Sequence, residues 1–170
     1  MNANYLFLLP LVSALGSGLM AGVFFAFSAF VMNALARLPA AQGIAAMQSI
    51  NIVVLNFWFG TVFFSTALAC LGMVVTAGLR WHRPGAVWML VGSLLYLFGV
   101  VGVTMVCNVP QNDALATLHP ASAESARFWS GYVTSWTAWN HVRTVAALAA
   151  TAALICALVC QTAGERSTPA

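Results

Sequence analysis

Four long apolar runs constrain this chain more than any other feature. They cover residues 5–35, 52–79, 85–106 and 142–160. A bilayer core is crossed by about 20 apolar residues in a helix. The helix satisfies its own backbone hydrogen bonds where no water can. The runs therefore predict an all-α fold, a four-helix transmembrane bundle. They form one domain over residues 1–161, followed by a polar, mobile tail over 162–170. Charge agrees with this. Only 5% of the 170 residues are charged, against about a quarter in a soluble domain. No positive stretch precedes the first run and no clear small-residue cleavage site follows it. It reads as a retained helix, not a signal peptide. The net charge of +3 rests on six Arg without a basic run, so no nucleic acid is expected as a partner.

The connections set the topology. Residues 37–51 read as a moderately polar loop and residues 107–119 as a loop rich in turn residues. Arg80 to Pro84 is a short basic turn that folds the second and third spans into an antiparallel hairpin. Helical periodicity in the fourth span begins near Pro120, which suits a first helical turn, with His119 or Ser122 at the cap. The last helix is then long, and its first turns stand outside the hydrocarbon. Arg80, Arg83 and Arg166 favour a cytoplasmic location for the turn and both termini, although Arg37 and Arg127 oppose it. Cys70, Cys107, Cys156 and Cys160 contain no CxxC pair and read as small buried hydrophobes.

This topology gathers the polar residues at one end. Asn33 and Arg37 close the first span, and Gln48, Asn51 and Asn56 lead into the second. Asn108, Asn112 and Asp113 end the third, and the fourth carries Asn140, His141 and Arg143. Polar side chains in lipid turn toward the bundle interior. They predict a polar pocket opening to the non-cytoplasmic side, or else a set of interhelical hydrogen bonds that hold the bundle. Trp129, Trp136 and Arg143 recur every seven residues and share a stripe, flanked by Tyr132, Trp139 and Asn140. His141 lies about 160° round the helix from Arg143, so Arg143 is the favoured pocket-facing cation. The Trp residues alone equally suit a membrane interface. Asp113 and Arg143 are candidates for an ion pair, structural or catalytic. Pro110 is expected to break the third helix and free carbonyls for the Asn side chains. Three His without metal-ligand spacing give no metal site. Gly18 and Gly22, beside Gly16, permit close helix packing within the chain, or a homo-oligomer. Phe24, Phe25, Phe27 and Phe30 read as core or lipid-facing aromatics, or as the lining of an apolar cavity.

The run from Ala21 to Ser28 continues to Phe30-Val31-Met32 and Leu38-Pro39. Then come Gly43 to Gln48, Ile50-Asn51, Asn108-Val109-Pro110 with Asn112-Asp113, and Trp136 to Thr144. In combination these resemble the DUF1772, or anthrone oxygenase, family over nearly the whole chain. The resemblance implies a four-helix membrane protein. It also implies, as an expectation, oxidation of a lipophilic aromatic anthrone by O2 without a cofactor. Such a reaction asks for a base, a stabiliser for an aromatic oxyanion and a dry aromatic cavity. His141 is the candidate base. Arg143 is the candidate oxyanion stabiliser, with Asn140, Asn108 or Asn112. Trp136 and Phe27 would stack on a flat ring, and Asn51 and Asp113 complete the candidate substrate-binding set. Two other readings compete: a non-catalytic membrane protein that binds or transports such a compound, and a haem- or metal-binding redox subunit. The expected partners are the lipophilic small molecule, O2 and membrane lipid.

Overall fold

The computed structural model describes residues 3–166, and these are helical with no strand. We number five helices: α1 (residues 3–36), α2 (Ala40–Val53), α3 (Phe57–Leu79), α4 (Ala86–Ala116) and α5 (Ala123–Arg166). Four of them, α1, α3, α4 and α5, are long and apolar enough to cross a membrane. The chain is a multi-pass integral membrane protein. α5 has 44 residues, which makes it ~66 Å long, about twice the thickness of a bilayer core.

Several boundaries differ from those read in the sequence, each for a local reason. Residues 37–51 are mostly helix, not loop. Pro39 sets the entry to α2, and Gly43, Ile44 and Met47 give it a buried face. At 14 residues α2 is too short to span. α3 starts at Phe57, where the Asn56 side chain accepts the Phe59 backbone N–H at 3.0 Å. Pro110 does not break α4. The helix widens into π-type turns over Leu95–Gly102 and Thr104–Asn108, and α-helical geometry resumes at Val109. Pro110 thus lies in a first turn, where its missing N–H has no partner to lose. The chain stays helical to Ala116, so residues 107–116 are not a loop. Pro120 sits in the turn ahead of α5, and the cap is Ser122, whose hydroxyl accepts the Ser125 N–H at 3.1 Å. α5 runs on to Arg166, into the expected tail; residues 167–170 lie outside the described residues.

α5 packs against both α1 and α4. α3 lies against α1 and α4, while α2 lies against α5 and the ends of α1 and α4. The buried seam of α5 runs Ser125, Trp129, Tyr132, Trp136, Asn140, Arg143, Ala147, Ala150, Leu154, Ala157. Its three- and four-residue spacing keeps one stripe facing inward. The outer face changes character along the way. Glu124, Arg127, Ser130, Thr134 and Ser135 are exposed in the first half, and Val142, Val145, Leu148, Ile155 and Val159 in the second. This change puts the edge of the hydrocarbon near Trp139 and His141.

Beyond that edge the α4–α5 contact is built from small residues. A Cβ on Gly99 would stand 2.5 Å from the Ala146 Cβ, so only glycine allows this approach. Gly85 has φ 85 and lies against the Ala157 carbonyl, which fixes the basic turn to the far end of α5. In α1, Gly16 and Gly18 pack inside the chain against Thr66 and Thr151, and Gly22 faces open space. Of the cysteines, only Cys70 is fully buried. Cys107 and Cys160 are half-buried, and Cys156 is exposed on the apolar outer face, not buried as expected.

Candidate active site

Two apolar clusters fill the interior. One involves α1, α3, α4 and the second half of α5. The other joins the end of α1, α2, Leu115 of α4 and the first half of α5. A polar layer lies at their junction. Asn140, fully buried, donates from Nδ2 to the Phe24 carbonyl and to Ser28 Oγ of α1, each at 2.7 Å. Its Oδ1 accepts from Arg143 Nη2 at 2.7 Å. Ser28 and Thr144 share a hydroxyl contact at 3.1 Å, and Thr144 donates to the Asn140 carbonyl. Asn140 thus spends its amide on α1 and its oxygen on Arg143, which fixes the guanidinium.

Arg143 is 5% exposed. Its Nη1 reaches Thr104 Oγ1 of α4 at 3.3 Å, and Nε has no partner. The guanidinium carbon lies over the Phe24 ring at 4.5 Å and over the Trp136 ring at 5.0 Å from the centroids. No carboxylate among the described residues pairs with it; Asp113 is exposed, so the expected ion pair does not form. A cation over an aromatic face gains about 0.5–2 kcal/mol. Taking a charge out of water costs several kcal/mol. Two rings and two neutral acceptors offset this only in part, and the site is left electrostatically suited to an anion.

An aromatic column leads from Arg143 toward α2. Trp136 stacks on Tyr132 (6.5 Å between centroids) and Tyr132 on Trp129 (5.5 Å), while Phe27 of α1 meets Trp136 at 5.6 Å. Asn112 Oδ1 accepts from both Tyr132 Oη, at 2.9 Å, and Trp136 Nε1, at 2.7 Å. Asn108, buried, donates to the Trp136 carbonyl at 3.2 Å. Gly43 lets α2 seat on Trp129, where any Cβ would stand 2.9 Å from the indole ring. Gln48 of α2 donates to the carbonyls of Leu115 and Leu118 and closes that end. Within this half, Asn108 Oδ1, Trp129 Nε1 and Thr137 Oγ1 are buried without a protein partner. Such atoms ordinarily find water or a ligand.

The structure therefore brings together Asn108, Asn112, Trp136, Asn140, Arg143 and Phe27, with Asn51 on α2 beside the Tyr132 hydroxyl. It leaves His141 exposed at the edge of the apolar outer face, away from the guanidinium, and Asp113 exposed. Asn33, Arg37 and Trp139 are exposed as well. Trp129 and Trp136 are core residues and not an interface belt. Sequence reasoning missed Phe24, Ser28 and Thr104 as partners. Only Phe24 carried a signal, as one of four closely spaced Phe residues. Among the described residues no group of three His, Cys, Asp or Glu gathers as a metal site would require.

The family whose model describes an anthrone oxygenase matches residues 52–153. The match covers α3, α4 and α5 as far as the small-residue seam, including Asn108, Asn112, Asn140 and Arg143. No curated protein and no solved structure matches the chain. With more than half of its length matched, and a four-span bundle carrying the Asn-Val-Pro and Trp-Asn-His-Val-Arg segments, the chain belongs to the anthrone oxygenase family.

Proposed function

We propose that this protein oxidises a lipophilic, anthrone-like aromatic with O2 inside the membrane. One observation carries the reading: a guanidinium buried against two aromatic rings with no carboxylate to neutralise it. That is the complement of a flat aromatic oxyanion. Removing a proton from the CH2 opposite an anthrone's ketone yields such an anion, with its charge on oxygen. The anion passes one electron to O2, giving a carbon radical and superoxide. The two combine and take up a proton as a hydroperoxide, and loss of water leaves a second carbonyl. Each CH2 converted to C=O consumes one O2 and releases one water. The substrate supplies the electrons, so neither flavin nor metal is required by this balance.

In this reading Arg143 holds the developing oxyanion, which is stabilised most where water is excluded. Asn140 is a positioning residue for Arg143. Phe24, Phe27 and Trp136 face the ring system, and the unpartnered Asn108 Oδ1 meets its polar substituents. Since His141 is on the outer face, the substrate in this reading gives up its first proton to the aqueous phase before its anion settles against Arg143. Arg80 and Arg83 support a cytoplasmic basic turn and termini, with the site toward the other side, against the opposing Arg37 and Arg127.

The absence of an imidazole beside Arg143 favours a second reading, in which the chain captures an already ionised lipophile without oxidising it. One experiment separates the two. Purified protein is given a hydroxylated anthrone under air, and O2 uptake and quinone formation are followed. Oxidation above the spontaneous rate, lost in Arg143→Gln, supports the enzyme. Tight binding of the ionised compound at the spontaneous rate supports capture alone.

A further inference from the structure

At the opposite end of the bundle, the turn between α3 and α4 borders an open depression of about 550 Å3, lined by Leu79, Arg80, Trp81, His82, Arg83 and Pro84. We infer that it binds the headgroup phosphate of an anionic membrane phospholipid, independently of the oxidation chemistry at Arg143. Three observations point there.

The first is charge. Arg80 and Arg83 have no carboxylate partner among the described residues, and His82 is exposed beside them. The second is position. Exposed Leu79, Val87 and Trp88 adjoin the cationic residues, so acyl chains can lie on apolar side chains while a phosphate meets the guanidinium groups. Trp81, half-exposed, suits the headgroup level. The third is that the turn is built to hold its shape. Arg83 N–H donates to the Arg80 carbonyl at 2.8 Å and Ala86 N–H to the Arg83 carbonyl at 3.2 Å. Gly85 is fixed against Ala157, and Pro84 lies against Gly164 of α5. The two guanidinium groups thus spring from a fixed backbone, where a floppy loop would give only diffuse attraction.

The test uses the full chain in nanodiscs containing phosphatidylcholine and phosphatidylglycerol, with retained lipid read by native mass spectrometry. Wild type is expected to retain phosphatidylglycerol over phosphatidylcholine. At roughly fivefold per surface cation, Arg80→Gln with Arg83→Gln lowers that preference about 25-fold. Arg37→Gln with Arg127→Gln, at the other end, leaves it unchanged. Equal retention of both lipids by wild type overturns the inference. So does a preference that survives the turn variant, or one lost equally in the control. Displacement of phosphatidylglycerol by millimolar inorganic phosphate overturns it too, since the site then reads free phosphate and not a lipid.

Discussion

The two halves of α5 solve the same packing problem with opposite residues. Toward α2 the buried seam is large, with Trp129, Tyr132 and Trp136, and the exposed face is polar. Toward the basic turn the seam is small, with Ala147, Ala150 and Ala157, and the exposed face is Val, Leu and Ile. The solvent explains the inversion. In the half that leaves the hydrocarbon, water drives burial, and large aromatic surfaces gain most from it. Within lipid the surroundings are as apolar as the core, so helices associate through close backbone approach and small residues. Arg143 sits where the two regimes meet. There it is deep enough for its charge to act through a low dielectric, yet close enough to the edge that, in the proposed reaction, a polar product or a proton has a short way out.

This contrast can be broken at Arg143 first. Replacing it by Gln removes the charge on which the proposed oxidation rests. The rate of anthrone oxidation should fall by about 10²–10³, as for loss of a preorganised oxyanion donor. The thermal midpoint should hold or rise, because a buried charge without a carboxylate is weak stabilisation. Measuring both on one preparation checks this; parallel losses would mean that the guanidinium is structural. Gly99→Leu attacks the other half. It forces a side chain into Ala146, and overpacking of this kind costs about 1–3 kcal/mol. The unfolding midpoint in detergent should drop, with any lost activity following the folded fraction.

A smaller effect is expected at Asn112. Substitution by Ala leaves Tyr132 Oη and Trp136 Nε1 without their shared acceptor, at a cost of about 1–3 kcal/mol. Since α2 rests on the same column, amide exchange in α2 should quicken before exchange near Ala150 does. The smallest change belongs to His141→Ala. An exposed side chain away from the seam should shift stability by no more than ~0.5 kcal/mol and leave the pH–rate profile unmoved. A profile that loses a limb in this variant would restore His141 as the base.

The spans and the stripe through Trp129, Trp136 and Arg143 were legible because length and period are one-dimensional properties. The neighbours of that stripe were not. Asn140 binds a backbone carbonyl at Phe24, and a carbonyl has no sequence signature. Thr104 and Ser28 are ordinary helix hydroxyls until π-type turns, over Thr104–Asn108 and Phe27–Val31, bring the first to Arg143 and the second to Asn140. α2 escaped notice because its start has no side-chain cap and 14 residues fall short of a span. Its buried Gly43, Ile44 and Met47 were the available clue. Pro110 misled for a related reason: π-type turns precede it, so it falls in the first turn of the α-helical stretch that resumes at Val109, where a proline is tolerated.

Because α5 is one uninterrupted rod, its two seams are phase-locked. Each residue advances the helix by about 100°, so a single alanine inserted between Thr144 and Ala150 could not be absorbed locally. If the small seam kept its grip on α4, the guanidinium would swing out toward the acyl chains; if Asn140 kept its hold on α1, the alanines would. Length variation in homologues is therefore expected at the connections and not within this rod.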